Sequence, residues 1–521
     1  MPTGRNNKLL LSNWLLLVFL ALAPLIVTDI PALMDYPNHL ARQFILLHYE
    51  TSSALQANYR IDWGIKPNLA MDIIIPWLAG FMPLLWAGKI FIVLTLLALL
   101  GGTAALAHAL HGQVGVPPMF AAVFLYNLAF AFGLLNFLFG SGLMMLAFSL
   151  WIRCPFQPVL IRSLVFSVFA IILFFCHLFA VATFFLLTGA YELQKWPGTT
   201  WGNRLSGIVS LAVPVAITFA LWLLRTPGIA NTNDIDWGEG WLRAVLMAGG
   251  LIFSDRCIPF LVLIPVAFTL LCFNARGLPI IRSMWLPLGL IFFIALLMPK
   301  RLAGGDSVHL RLPVLLPFLV AASIPPRLIS HRTQLTYMLM ALGLTAYHSY
   351  DAIGLWHKAD SDFSEFRKAA LAVEPGARMM LVEDVSTDLR SPLYLHMIEL
   401  SVLDRCTFVA HMAKIQDQQP VIPAPAVQDI DGGVSGYAVS SADFIKAVDP
   451  QGMDDLRRQP PRFWRKLWFL DWQHKFDYIV HVDWGAPINL RPEYLDIVNT
   501  GSFFTIYRVK DRPRPASLSC P

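Results

Sequence analysis

The sequence predicts a polytopic membrane protein of mainly α-helical structure, followed by a soluble α/β domain. Three observations support this class. Of the 521 residues, 56% are hydrophobic and only 14% are charged, with a mean hydropathy of +0.58. Apolar runs long enough to cross a bilayer recur between residues 9 and 354. After about Trp356 charged residues return and such runs stop, so we divide the chain into a transmembrane domain, 1–356, and a soluble domain, 357–521.

The first apolar run gives the orientation of the chain. Arg5 and Lys8 precede a run from about Leu9 to Val27, close to the ~20 residues of a spanning helix. Because basic residues stay on the cytoplasmic side, we expect the N-terminus in the cytoplasm of a bacterial cell, with the protein in the inner membrane. The run exceeds the ~7–15 apolar residues of a signal peptide, so we expect it to persist as a first helix.

Short basic loops determine how often the chain crosses. Four connections between later apolar runs carry pairs of basic residues, and the positive-inside rule places all four in the cytoplasm. This requires Leu69–Leu85, which Asp72 and two prolines interrupt, to lie at the interface within a first periplasmic loop, 29–88. About eleven spans result: 9–28, 89–110, 118–134, 139–153, 159–176, 178–194, 206–224, 257–275, 281–299, 312–329 and 334–354. The soluble domain is then periplasmic, and segment 242–255 is expected at the surface.

The soluble domain shows alternating helix-like and strand-like stretches, which predict an α/β fold. Near its end, a helix is expected around 491–498 between two β-rich runs. Cys406 and Cys520 would face an oxidising compartment and could pair. The cysteines show no metal-binding spacing, and the formal charge of +5 is spread over loops, so nucleic acid is not an expected partner.

The first periplasmic loop concentrates polar groups at the membrane surface. It opens with Asp35, His39 and Arg42, an acid, an imidazole and a guanidinium within eight residues. His39 and Arg42 are three residues apart and would share one face of a helix that starts just after Asp35. Plain structural roles are alternatives: Asp35 or Asn38 could cap that helix, and Arg42 could reach lipid headgroups. A carboxylate here could equally act as general base on an acceptor hydroxyl.

The order of these features resembles the GT-C superfamily of polyprenyl-phosphate-sugar-dependent glycosyltransferases. The resemblance lies in a first helix, an acid-bearing outer loop and Lys66-Pro-Asn-Leu69 at the start of an interfacial helix. It continues through Gly133-Leu-Leu-Asn136, His177-Leu-Phe-Ala180 and Arg311-Leu-Pro313, and covers most of residues 1–330. The family's catalytic aspartate falls on Asp35. Asn68 replaces a proline of the family motif, and Tyr36 stands where the family commonly has a second acid.

This resemblance implies an enzyme that transfers a hexose or pentose from a polyprenyl-phosphate donor to an envelope glycan, lipid or protein. Asp35 would be the general base of an inverting displacement, with Asp29, Asp62 and Asp72 as alternatives. A departing phosphate needs no general acid, but it needs cations and hydrogen-bond donors. The candidate substrate-binding residues are His39, Arg42, Lys66, Asn68, Asp72, Asn136, His177, Arg301, His309 and Arg311.

Two other interpretations remain open, and no metal site is assigned. A divalent ion is possible, since Asp35 and Asp72 could share one. A transporter or lipid flippase is the main alternative function, although transporters place charges near the bilayer midplane and these acids gather at the outer surface. A non-catalytic envelope scaffold is the third.

Overall fold

A computed structural model of the chain describes residues 4–153, 158–225, 235–237, 279–302, 307–328, 330–384, 391–414, 417–432, 438–458, 467–484, 490–513 and 518–521, with isolated positions between 251 and 272. In chain order, the helices are α1 (Gly4–Ile26), α2 (Tyr36–His48), α3 (Ser53–Asn58), α4 (Ala70–Ala79), α5 (Leu84–His111), α6 (Leu128–Ala131), α7 (Leu135–Arg153), α8 (Val159–Cys176), α9 (Leu178–Lys195), α10 (Trp201–Leu223), α11 (Trp285–Leu297), α12 (Arg311–Ser323), α13 (His331–Ala370), α14 (Ser391–Tyr394), α15 (Leu400–Arg405), α16 (Ser441–Lys446) and α17 (Pro450–Arg458). The strands are β1 (Tyr59–Ile61), β2 (Arg378–Glu383), β3 (Phe408–Val409), β4 (Val421–Pro423), β5 (Tyr478–Val482), β6 (Leu495–Thr500) and β7 (Phe504–Val509).

The membrane part follows the predicted apolar runs. Within the described residues, α1, α5, α7, α8 and α10 are long and apolar enough to cross a membrane. Helices α9, α11, α12 and the first part of α13 coincide with further predicted spans. The chain is therefore a multi-pass membrane protein, although these helices do not establish the count of eleven. The predicted span 257–275 and most of segment 242–255 lie outside the described residues.

Residues 118–134 do not form the single spanning helix that the sequence predicted. This stretch is a 3₁₀ helix, Pro117–Phe124, followed by the four-residue α6. Two consecutive prolines at its start lack N–H donors. Asn127 then accepts a hydrogen bond from the Phe130 amide and begins a new short helix, and Gly133, with φ of +77°, ends it in the left-handed conformation. The apolar stretch is consequently split into short pieces.

Helix α13 joins the two predicted domains. It runs without interruption for 40 residues, about 60 Å at 1.5 Å per residue, and passes through the boundary expected at residues 356 and 357. Trp356 is fully buried there, and its ring lies 6.1 Å from that of Tyr126. The soluble domain is thus attached through one continuous helix.

The soluble domain has the predicted α/β character. Its five-stranded sheet has the order β3-β2-β5-β7-β6, in which β3, β2 and β5 are parallel and β7 and β6 are antiparallel to their neighbours. The helix expected at 491–498 is wrong, because residues 495–500 form the edge strand β6 and pair with β7. A short turn at Gly501 folds the chain back, and the ladder satisfies backbone groups that a helix would have paired internally.

The first loop, 29–88, and the soluble domain are joined directly. Strand β1 of the loop pairs antiparallel with β4 of the soluble domain. The Tyr59 hydroxyl donates to the Thr407 carbonyl at 2.8 Å, and the Asn58 amide donates to the Gly376 carbonyl at 2.9 Å. Cys406 and Cys520 form a disulfide, as the sequence suggested. Loop and domain therefore lie on the same side of the membrane.

Candidate active site

Asp35 lies immediately before α2 but does not cap it. Helix α2 begins at Tyr36, directly after Asp35, and the Asp35 side chain makes no capping hydrogen bond. Its backbone packs against Gly133, where an added Cβ would lie 3.1 Å from the Asp35 nitrogen. A glycine is required at this position by both its positive φ and this close approach. The carboxylate keeps 25% of its side-chain surface exposed, so solvent or a substrate can reach it.

His39, Arg42 and Asp72 form a buried network beside Asp35. Arg42 Nε donates to Asp72 Oδ1 at 2.6 Å, and both side chains are fully buried. Arg42 Nη2 lies 3.1 Å from His39 Nδ1, whereas His39 Nε2 lies 3.2 Å from the Gly133 carbonyl. Arg42 therefore does not extend to lipid headgroups. Gln43 also donates to Asp72, so this carboxylate is engaged within the protein and is not held towards an ion shared with Asp35.

His39 is neutral in this network. Because a guanidinium only donates, His39 Nδ1 must accept and Nε2 carries the hydrogen that the Gly133 carbonyl accepts. Burial and the neighbouring Arg42 lower the pKa of His39 to about 4. The imidazole thus positions the Gly133 carbonyl next to Asp35.

Lys66 connects the first loop to the soluble domain. Its ammonium donates to the Asp62 carbonyl at 2.7 Å and to the Gln419 carbonyl at 3.0 Å, and pairs with the Asp62 carboxylate at 3.3 Å. Burial lowers the pKa of Lys66, although Asp62 opposes this effect. The ammonium is therefore committed to contacts within the protein.

Asn68 and Asn136 shape the start of α4. Asn68 has a φ of +73°, which proline cannot adopt, and this explains the departure from the family motif. Asn136 on α7 donates to the Asn68 carbonyl at 2.7 Å and accepts from the Met71 amide at 2.9 Å. Asn136 thereby holds the first turn of the interfacial helix.

Arg311 and His177 form a second polar group. Arg311 Nη1 lies 3.0 Å from His177 Nε2, and its guanidinium lies 4.8 Å from the Phe179 ring centre. His177 interrupts the helical conformation between α8 and α9, as its position between two predicted spans suggested. The His177 ring contacts Phe137, the residue after Asn136, so this pair adjoins the α4 region across α7.

Arg301 and His309 have other surroundings. Arg301 is buried and pairs with Asp236 at 3.2 Å. His309 is buried in the 3₁₀ turn Val308–Leu310, just before α12. Residues 303–306 of the same connection lie outside the described residues.

The soluble domain contributes residues that the sequence did not suggest. His396 Nε2 lies 3.4 Å from Asp35 Oδ1, and His396 Nδ1 lies 2.7 Å from Glu399 Oε1. His411 Nε2 lies 3.5 Å from the same Glu399 oxygen. Within the described part of the chain, one group of histidine and acidic side chains is close enough to surround an ion. It consists of His396, Glu399 and His411, whose nitrogen and oxygen atoms lie within 4.8 Å of one another. The 2.7 Å contact is nevertheless that of a hydrogen bond. In the sequence, the available signal for this group was that His396 and Glu399 are three residues apart, a spacing that would place them on one face of a helix.

The architecture is that of a multi-pass membrane protein, with an acid-bearing first loop in contact with a soluble domain. The crystal structure of ArnT from Cupriavidus metallidurans bound to undecaprenyl phosphate has a similar fold, with a TM-score of 0.51 and 13% sequence identity. The similarity covers 95% of this chain and 97% of that chain, which confirms the predicted fold. No family model matches the sequence, and no curated protein does.

Proposed function

We propose that this chain is an integral-membrane glycosyltransferase that uses a polyprenyl-phosphate-linked sugar donor. The observation that carries the proposal is the position of Asp35, a partly exposed carboxylate at the place of the family's catalytic aspartate. The fold supports the donor class, because its similarity extends along nearly the whole of a protein crystallised with undecaprenyl phosphate. We place the first loop and the soluble domain on the periplasmic face, with an envelope molecule as acceptor.

In the proposed reaction Asp35 acts as general base. Its carboxylate takes the proton of an acceptor hydroxyl while the hydroxyl oxygen forms a bond to the anomeric carbon of the donor sugar. The bond between that carbon and the phosphate oxygen breaks, and the lipid phosphate leaves with the electron pair. One displacement from the opposite face inverts the anomeric centre. A correctly placed base contributes about 10²–10⁴ to the rate of such a step.

Arg311 is the proposed contact for the donor phosphate. A guanidinium matches phosphate oxygens in geometry and charge. Packing against Phe179 and the contact with His177 fix its orientation at the start of α12. The more deeply engaged cations, Arg42 and Lys66, are assigned to holding the loop in place instead of binding substrate.

The test is transfer of radiolabelled sugar by the purified protein in liposomes containing undecaprenyl phosphate linked to single hexoses or pentoses. Mass spectrometry of envelope lipids and polysaccharides from a deletion strain would first identify the sugar and acceptor. Asp35→Asn should reduce transfer at least a hundredfold, in line with loss of a general base. Glu50→Gln, an exposed change in the same loop, is the matched control and should retain full transfer.

Two outcomes would contradict the proposal. Undiminished transfer by Asp35→Asn would remove this residue as the base, and Asp29→Asn would then be tested as the alternative. Movement of the intact donor lipid across the bilayer, without sugar transfer to any acceptor, would instead support the flippase alternative.

A further inference from the structure

We infer that the soluble domain completes the active site, with His396 as a positioning residue that holds Asp35 through an ion pair and Glu399 as its buried counterion. This inference rests on the proposed function of Asp35. It gives the soluble domain a part in the reaction itself.

The segment that carries these residues is fixed against the first loop. His396 and Glu399 precede α15, and His411 follows β3, so all three lie within 16 residues of one another. Cys406, between them, is bonded to Cys520. The Ser52 hydroxyl, in the first loop, contacts the Cys406 sulfur at 3.6 Å and donates to the Ser519 carbonyl at 2.9 Å. The His396 imidazole therefore contacts Asp35 from a segment that the disulfide and the Ser52 contacts hold against the first loop.

Hydrogen-bond chemistry sets the charge of His396. Its Nδ1 forms a hydrogen bond with Glu399 at 2.7 Å, and its Nε2 forms an ion pair with Asp35 at 3.4 Å. A ring that faces a carboxylate at each nitrogen is stabilised as the imidazolium. Burial opposes this charge, but Glu399 and Asp35 outweigh it and raise the pKa of His396 to about 10.

The neighbouring groups are consistent with one positive charge at His396. Burial acts to raise the pKa of Glu399, but its contacts with His411 and His396 outweigh this effect and lower that pKa, so this carboxylate is ionised. Burial lowers the pKa of His411. His411 Nε2 lies 3.0 Å from the Leu395 carbonyl and must donate to it, whereas its buried Nδ1 has no hydrogen-bond partner among the described residues and needs no hydrogen. His411 thus stays neutral, with its ring stacked 5.8 Å from that of His396.

This arrangement gives Asp35 a defined orientation. His396 engages Oδ1 of Asp35, which leaves Oδ2 to accept the proton of the acceptor hydroxyl. The proton of His396 does not move in the reaction. Its positive charge holds the Asp35 carboxylate in position, and the buried Glu399 stabilises the imidazolium as a fixed counterion.

The test compares His396→Gln and Glu399→Gln with His474→Gln, an exposed histidine change in the same domain. His396→Gln should lower kcat roughly tenfold to a hundredfold, less than loss of the base itself, with KM for the donor unchanged. The acid limb of its pH–rate profile should move to higher pH, because the carboxylate loses a neighbouring positive charge. Glu399→Gln should retain activity at neutral pH. On the alkaline side its activity should fall at a lower pH than that of the parent protein, because His396 then releases its proton more easily. His474→Gln should change neither quantity.

Each outcome has a separate meaning. If Asp35→Asn abolishes transfer while His396→Gln leaves kcat and the pH profile unchanged, this inference fails and the proposed function stands. If Asp35→Asn has no effect, the proposed function itself fails. A stoichiometric metal ion in the purified protein that Glu399→Gln removes would also overturn the inference, because a metal-bound ring nitrogen cannot carry the required hydrogen. An intact Cys406–Cys520 bond in each variant, checked by mass spectrometry, shows that the segment is folded.

Discussion

The buried pair of Arg42 and Asp72 gives a test that separates structure from substrate binding. Arg42→Met removes a guanidinium that is fully buried and bonded to Asp72 at 2.6 Å. The Asp72 carboxylate would stay buried without its cation, which costs about 3–5 kcal/mol. His39 Nδ1 would also lose its donor, which costs about 1 kcal/mol more. We therefore expect a local destabilisation of at least about 4 kcal/mol around α2 and α4.

Hydrogen exchange measured by mass spectrometry on peptides from α2 and α4 is the appropriate assay, because unfolding of a large membrane protein is not a two-state transition. A loss of about 4 kcal/mol corresponds to roughly 10³-fold faster exchange in these helices. Exchange in β5 and β7, in the sheet of the soluble domain, provides the internal reference and should not change.

The double variant Arg42→Met with Asp72→Asn decides between the two roles. Asp72→Asn removes the stranded charge and keeps an oxygen for the Gln43 amide, so about 0.5–3 kcal/mol of the loss should be recovered. Sugar transfer should recover along with protection from exchange. Normal protection in Arg42→Met together with a raised KM for the donor would refute this reasoning and return Arg42 to the substrate-binding residues.

Three further predictions follow from the first loop. Asn68→Pro, which restores the family motif, should destabilise the start of α4 by about 3 kcal/mol because proline cannot adopt φ of +73°, whereas Asn68→Gly should be neutral; hydrogen exchange in α4 separates them. Cysteines introduced at exposed Glu50 and Asp454 should react with an impermeant maleimide from the same membrane face, and labelling from opposite faces would contradict the β1–β4 pairing. Because the pKa of His39 is lowered from 6.5 to about 4 in the folded protein, the unfolded chain binds the proton first as pH falls. Stability should therefore fall as pH drops from about 6.5 to 4, by up to about 3 kcal/mol. His39→Gln should remove this pH dependence, measured as hydrogen exchange against pH.

The sequence predicted what depends on local pattern and composition. Apolar runs gave most helices of the membrane part, and the loss of such runs after Trp356 gave the soluble domain. Local propensity failed where hairpin pairing with the next strand overrides it, as in the edge strand β6, and where paired prolines divided an apolar run. Domain division by composition also missed that α13 is continuous and that β1 pairs with β4, because neither is visible in local composition.

The candidate site shows the same limit. The sequence brought Asp35, His39 and Arg42 together because Asp35 immediately precedes α2 and the other two lie on its first turns. It could not assign their partners, since Arg42 meets Asp72 thirty residues away and Asp35 meets His396 from another domain. Burial was also invisible in the sequence at Arg42 and Lys66. Both looked like cations available to a phosphate, and both are committed to oxygen atoms of the protein.

The contacts also rank the four acids that the sequence offered as the base. Asp72 is buried against Arg42, and Asp62 pairs with Lys66, so proton transfer to either would disrupt a bond that holds the loop. Asp29 is exposed in a separate polar cavity, beside the outer part of α13. Asp35 combines an exposed edge with a cationic partner on its other oxygen, which is the environment of a carboxylate that must stay ionised until an acceptor hydroxyl arrives. Asp35 is therefore the acid whose surroundings best fit the proposed reaction.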